Sequence, residues 1–330
     1  MKTHLIKIRI KEFFALWKNY SFSYACYSIL WWFCFYIRPP FCGKISTFAI
    51  NKKTKWLDRY FKNNYHDIIN KYLENDWQTK EIESTHIWVF WGQGEENMPP
   101  LVKACYRQLT YYNDNVILLT NDNIKEYIDI PPIVYKKVST GHVSWAHFSD
   151  ITRNTLLARY GGLWLDATVW VRGKIPFDKL KNVEFFSANG KVPASSRAMR
   201  FWTSFDYNWS TWCMYSRGKG NRLFTFVAEM LTSIAEREKQ WLDYVIQDYL
   251  IYYAYNELPG IADMLESCKT IPCCNRNKLA EIMNERFDEE KYNELIKYDF
   301  VFKLSFRTKW EKKTEKGELT FYGRILEDII

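Results

Sequence analysis

One stretch of the chain concentrates the residue types that chemistry needs. Residues 149–168 read Ser-Asp-Ile-Thr-Arg-Asn-Thr-Leu-Leu-Ala-Arg-Tyr-Gly-Gly-Leu-Trp-Leu-Asp-Ala-Thr. Asp166 is the only charge in an apolar and aromatic run, residues 163–171, that suits a buried strand. An ionised carboxylate in such a run costs several kcal/mol unless it is partnered, so Asp166 must meet a cation, a hydrogen-bond donor or a ligand. Asp150 and Arg153 lie three positions apart. On a helix both project from one face, toward the place where the strand ends. The plainer alternative is a core strand whose Asp caps a neighbouring element, beside a surface Asp–Arg pair of little energetic weight.

The elements that must position these groups are readable from the same segment. Ser144 is a plausible N-cap, and Trp145, Phe148, Ile151, Thr152, Thr155, Leu156 and Tyr160 recur at helical spacing. Gly161-Gly162 stops that helix, because glycine accepts the left-handed conformation that a helix C-terminus often requires. Upstream, residues 85–91 alternate and branch like a strand, and the glycines and prolines of 92–100 break it. Pro99 then opens a helix to Tyr112, residues 115–119 read as a second strand, and Thr120-Asn121-Asp122 caps a short helix. Residues 133–138 read as a third short strand. This alternation is that of a doubly wound α/β half-barrel, in which ligands bind at the C-terminal ends of the strands.

Downstream the pattern loosens. Residues 185–214 are rich in Trp, Ser, Asn and Arg, and Trp202, Trp209 and Trp212 offer flat apolar faces for stacking on a ring or for core packing. Residues 223–238 and 241–258 read as long helices. On the second, Asp243 and Asp248 stand five apart, about 140° around the axis, so only one of them faces a cleft. A strand-like segment, 298–302, precedes Lys303-Leu304-Ser305-Phe306, Arg307 and Trp310.

The net charge of +8 suggests a nucleic-acid partner until its distribution is considered. Residues 1–59 hold 11 Lys/Arg against Glu12 and Asp58, so the rest of the chain is close to neutral and carries no nucleic-acid motif. Inside this basic arm an uncharged run of 19 residues, 19–37, is dominated by aromatics. It is near bilayer-spanning length, yet Trp and Tyr favour the headgroup level, and Lys2, Lys7, Arg9, Lys11 and Lys18 precede it. The readings are an interfacial anchor on the inner face of the cytoplasmic membrane, a helix packed on the main domain, or a transmembrane segment. The eight cysteines form no CxxC pair and no histidine neighbours Cys273-Cys274, so reduced thiols are expected rather than a zinc site.

Three pieces together carry a family resemblance. They are Ile-Trp-Val-Phe-Trp-Gly-Gln-Gly-Glu-Glu-Asn-Met-Pro at residues 87–99, the 149–168 segment, and Trp241-Leu242-Asp243-Tyr244 with Asp248-Tyr249. Over most of residues 85–310 the chain resembles the bacterial capsular polysaccharide synthesis proteins. Its Ser-Asp-x-x-Arg…Tyr-Gly-Gly-x-Trp-x-Asp pattern resembles the donor site of GT-A glycosyltransferases of the Och1-like and toxin type. The resemblance implies an α/β, GT-A-like nucleotide-diphospho-sugar transferase fold, a Rossmann-like mixed sheet with flanking helices, over residues 81–330. A helical, aromatic-rich arm, residues 1–80, precedes it.

The implied activity is transfer of a hexose, with retention, from a nucleotide sugar to a polysaccharide or lipid-linked glycan by a cytoplasmic enzyme peripheral to the membrane. The alternative is a degenerate GT-A-fold protein that binds or scaffolds. Trp88 or Trp91, with Gly92, would meet the nucleotide base. Asp150 and Arg153 would hold the donor sugar and its phosphates, where a guanidinium's planar fork gives two donors at once. Tyr160, Gly161 and Gly162 belong to the same signature. Asp166 would touch ribose, a divalent cation (Mn2+ or Mg2+), or both. Where the wider superfamily has Asp-x-Asp, this chain has Asp166-Ala167-Thr168, so that cation site has lost one formal charge. The remaining catalytic candidates are Asp243 or Asp248 toward the acceptor hydroxyl, and Lys303 or Arg307 on the leaving diphosphate.

Overall fold

The computed structural model describes residues 2–37, 42–74, 77, 79, 83–189, 209–271, 273, 275–327 and 329. Helices α1 (Lys2–Asn19), α2 (Phe22–Ile37), α3 (Cys42–Asn64) and α4 (His66–Glu74) come first. An alternating region follows: β1 (Ile87–Phe90), α5 (Pro100–Tyr112), β2 (Val116–Leu119), α6 (Ile124–Tyr127), α7 (Pro132–Ser139), α8 (Trp145–Tyr160) and β3 (Gly162–Leu165). Next are β4 (Val169–Val171), α9 (Phe177–Leu180), β5 (Phe185–Ser187), β6 (Cys213–Ser216), α10 (Arg222–Arg237) and α11 (Ile246–Glu257). The chain closes with α12 (Ile261–Ser267), α13 (Lys278–Ile282), α14 (Glu289–Ile296), β7 (Val301–Lys303) and α15 (Phe321–Glu327).

Among the described residues the main sheet has the order β2-β1-β3-β6-β5, and β4 pairs with β7 in a small second sheet. Strands β2, β1 and β3 run parallel, whereas β6 is antiparallel to both β3 and β5. The fold is therefore mixed α/β with a Rossmann-like parallel core. β3 is buried along its whole length, as expected for a strand covered on both faces. Helix α8 starts where the sequence places it, with the Ser144 side chain accepting from the His147 amide, and ends at Gly161. Gly161 and Gly162 both have positive φ, 69° and 92°, and a Cβ on Gly162 would lie 2.4 Å from the His86 carbonyl oxygen. Only glycine allows the chain to reverse there and enter the sheet.

Three local expectations are corrected. Residues 133–138 form helix α7, not a strand. Proline at its first positions presets φ for a helical turn, and Val134 and Val138, one turn apart, are buried together. The run 163–171 is not one strand: β3 ends at Leu165, the Val169 amide closes a turn onto the Asp166 carbonyl at 2.9 Å, and β4 continues in the other sheet. Asp166 thus sits at the edge of the parallel core. Helix α11 begins at Ile246, because the Asp243 carboxylate accepts from the Val245 amide and turns the chain first.

The N-terminal helices join the same hydrophobic core as α8, α10 and α11 through Leu16, Tyr24, Ala25, Leu57 and Phe61. Polar ties reinforce this. The Tyr24 hydroxyl donates to the Leu242 carbonyl at 2.8 Å, and the Tyr60 and Tyr65 hydroxyls share Glu238 at 2.8 and 2.6 Å. Of the readings open for residues 19–37, packing of α2 on the main domain is observed. No helix of the described residues is long and apolar enough to cross a membrane. The described cysteines are free thiols, and Cys274 lies outside the described residues.

Candidate functional site

A cavity of about 690 Å³ opens at the C-terminal ends of β1 and β3, a volume typical of small-molecule sites. Its centre is Arg153, which projects from the middle of α8 and is only 4% exposed. One terminal nitrogen, Nη1, donates to Asp150 Oδ1 and to Gln247 Oε1, both at 2.7 Å. The other, Nη2, reaches Asp166 Oδ1 at 3.3 Å, and the guanidinium lies 5.1 Å from the centre of the Trp164 ring. The i, i+3 spacing delivers the Asp150 contact, and the reversal at Gly161-Gly162 brings β3 back along α8 to deliver Asp166.

Asp166 accepts two further hydrogen bonds, from Trp164 Nε1 to Oδ1 at 3.1 Å and from Lys303 Nζ to Oδ2 at 2.7 Å. The same ammonium donates to Thr168 Oγ1 at 3.0 Å. Burial alone would raise the Asp166 pKa, but Lys303 and Arg153 outweigh it and hold the carboxyl well below the usual carboxylate range. Asp150 moves the other way: burial outweighs its Arg153 partner and pushes it up to about 6. Asp248 goes further. Burial pushes it up to about 7, against the hydrogen bond it accepts from Trp209 Nε1 at 3.0 Å.

The structure brings Asp150, Arg153, Asp166, Thr168, Asp248, Lys303 and Trp91 to this one cavity, with Trp209 and Trp212 on its wall. Trp91 meets Phe306 edge-on at 5.7 Å across one side. Other candidates lie elsewhere. Asp243 is not in the cavity: it forms a buried ion pair with Lys53 of α3 and fastens the N-terminal helices. Trp88 is 1% exposed and donates to the Gly161 carbonyl at 2.9 Å, so its ring is core and not free to stack on a base. The Tyr160 hydroxyl donates to the Tyr127 carbonyl at 2.7 Å, and Gly161 and Gly162 shape the backbone. Gly92 accepts from the Asn121 amide at 3.0 Å and serves the loop. Trp202 lies outside the described residues.

Gln247 and Arg276, which both line the cavity, are among the residues the sequence reading did not single out. Gln247 was findable, since it immediately precedes Asp248 and shares the first turn of α11. Arg276 carried no local signal: it is 4% exposed and comes from the loop before α13.

A divalent cation does not fit these residues as they are arranged. Both Asp166 oxygens already accept N–H donors, Thr168 is occupied by Lys303, and the described residues contain no group of three or more His, Cys, Asp or Glu able to hold a metal ion.

A model of the capsular polysaccharide synthesis protein family matches residues 42–325. No protein of curated function matches the sequence. Two solved structures are similar. The apo bifunctional glycosyltransferase WbbM aligns with a TM-score of 0.40 and 9% identity, covering 76% of this chain and 51% of that one. The PaToxG glycosyltransferase aligns with a TM-score of 0.37 and 14% identity, covering 74% and 99%. The chain thus spans about half the length of WbbM.

Proposed function

Because the chain belongs to the capsular polysaccharide synthesis protein family, we propose that it is a glycosyltransferase moving a hexose from a nucleotide sugar to a polysaccharide or lipid-linked glycan. The observation that carries this reading is the Asp150–Arg153–Asp166–Lys303 constellation at the C-terminal edge of the parallel strands, where α/β sheets receive nucleotide ligands. Carboxylates there suit sugar and ribose hydroxyls, guanidinium and ammonium groups suit the diphosphate, and Trp91, Trp209 and Trp212 offer flat faces to base and sugar rings. Retention is the stereochemical course proposed, and NMR of the product's anomeric proton reads it.

A panel of nucleotide sugars, each incubated with the purified chain, tests the reading. Release of free nucleoside diphosphate from one donor class is expected, and its loss in Asp166→Asn. No release from any donor overturns the transferase reading in favour of a binding or scaffolding role.

The acceptor side of the proposal places the chain on the inner membrane face. Ile6, Ile10, Phe14 and Trp17 of α1 are exposed and, at spacings of three and four, share one face, with Phe22 of α2 exposed beside them. Lys7, Lys11 and Lys18 are exposed along the edge of that face, the arrangement of a helix lying in an anionic interface. Tyr244 lines the cavity and also a small pocket walled by Arg9, Trp31 and Trp32, so a docked arm sets the cavity beside the lipid headgroups. Co-sedimentation with phosphatidylglycerol-containing vesicles is expected, with little binding to phosphatidylcholine alone. Phe14→Ser with Trp17→Ser should weaken it roughly tenfold or more, given about 1.5–3 kcal/mol per buried large apolar side chain. Equal sedimentation of the double variant would refute the arm's role.

A further inference from the structure

An ammonium sits between Asp166 and Thr168. Lys303 Nζ lies 2.7 Å from Asp166 Oδ2 and 3.0 Å from Thr168 Oγ1. Backbone register fixes it there. In the β4–β7 pair Lys303 is directly opposite Val169, the residue after Thr168. The Leu304 amide donates to the Thr168 carbonyl at 3.1 Å, and the Lys303 amide to the Arg276 carbonyl at 2.7 Å.

The charges balance. Two carboxylates and a dication sum to zero, and so do one carboxylate, one hydroxyl and one ammonium. Asp166, Thr168 and Lys303 together thus carry the same net charge that two carboxylates with a dication would. An ammonium has three N–H donors, and these contacts use two, leaving one for an anion in the cavity. Arg153, Arg276 and Arg307 also line the cavity, so fixed cations outnumber the carboxylates Asp150, Asp166 and Asp248. Two of those carboxylates, Asp150 and Asp248, are moreover pushed up to about 6 and about 7. An excess of positive charge before any ligand arrives suits a diphosphate that brings no metal with it.

We infer that Lys303 takes the place of the divalent cation, holding the donor diphosphate and stabilising it as it leaves, so that the site works without a metal ion. This rests on the donor reading given above. In the transfer, the bond between the sugar's anomeric carbon and the phosphate oxygen breaks, and its electron pair stays on the diphosphate facing Lys303. The acceptor hydroxyl oxygen forms the new bond to that carbon on the face the diphosphate leaves, as retention requires, and its proton passes to the Asp248 carboxylate.

Calorimetric titration of the full chain with UDP, GDP, ADP, CDP and dTDP, in EDTA and again in MnCl2, tests the inference. At least one nucleotide is expected to bind with the same affinity in both, within about twofold. Lys303→Met should weaken that binding at least tenfold in EDTA, and Lys303→Arg should restore most of it, with thermal melts confirming that each variant is folded. Binding that appears only with Mn2+, or an undiminished affinity in Lys303→Met, overturns the role of Lys303 and leaves the transferase reading standing. The wild-type comparison decides the metal question even if Lys303→Met does not fold. Absence of binding by every nucleotide in both buffers overturns the donor reading of the cavity, and this inference with it.

Discussion

Arg153→Leu is expected to abolish transfer and to destabilise the fold by about 3–5 kcal/mol, the usual cost of removing one partner from a buried ion pair. The guanidinium is buried and supplies Asp150, Gln247 and Asp166 at once. Without it, Asp150, whose side chain is only 18% exposed, becomes a largely desolvated carboxylate with no cation, and Gln247 loses a charged donor. Asp166 keeps Lys303 and Trp164, so most of the damage falls on Asp150. Asp150 already has a raised pKa, about 6, so between roughly pH 4 and 6 the native state binds more protons than the unfolded chain, and its contribution to stability falls as pH rises through that window. Removing Arg153 pushes the pKa higher still. The deficit of Arg153→Leu should therefore shrink on going from pH 7 to pH 5. Urea denaturation at the two pH values measures it. A deficit below 1 kcal/mol, or one that grows on acidification, would refute this account.

Asp248→Asn carries the second large effect. Burial holds this carboxyl at about 7, it faces the cavity, and Trp209 Nε1 orients it. A base works best when its pKa lies near the working pH, and such groups contribute roughly 10²–10⁴-fold. In the wild type, kcat/KM should rise as Asp248 ionises, with a limb near pH 7, and level off above it. Asp248→Asn should lose turnover by that factor and lose the limb. Stability should move oppositely. The raised pKa means that ionising Asp248 costs the native state stability as pH rises from about 4 to 7, a cost asparagine does not carry. Asparagine still offers Trp209 an oxygen. The variant should thus be at least as stable as wild type at pH 8 while being nearly inactive. A retained acid limb would show that another group titrates there.

These expectations differ in how far the sequence alone could supply them. Helix α8, its Ser144 cap and its glycine stop were legible because each depends on residues within one or two turns of chain. So was the demand that Asp166 find partners, which follows from a lone charge among apolar neighbours. Strands β1 and β2 were legible for the same local reason, whereas 133–138 misled, because β-branched residues at strand-like positions gave way to the prolines that start α7. The choice between Asp243 and Asp248 was posed by helical geometry but settled by distant contacts. Lys53 of α3 captures Asp243, and Trp209 holds Asp248 at the cavity.

The sequence by itself determined the α/β alternation, the Asp150–Arg153 face and the need of Asp166 for partners, with Thr168 two positions further on, since all of these lie in short-range order. The tertiary structure decided which partners Asp166 and Thr168 find. The pairing of β4 with β7 sets Lys303 against Asp166 and Thr168 across more than 130 positions of chain. Such a register is set by how two strands pack among α5, α13 and the rest of the core, which no local periodicity encodes.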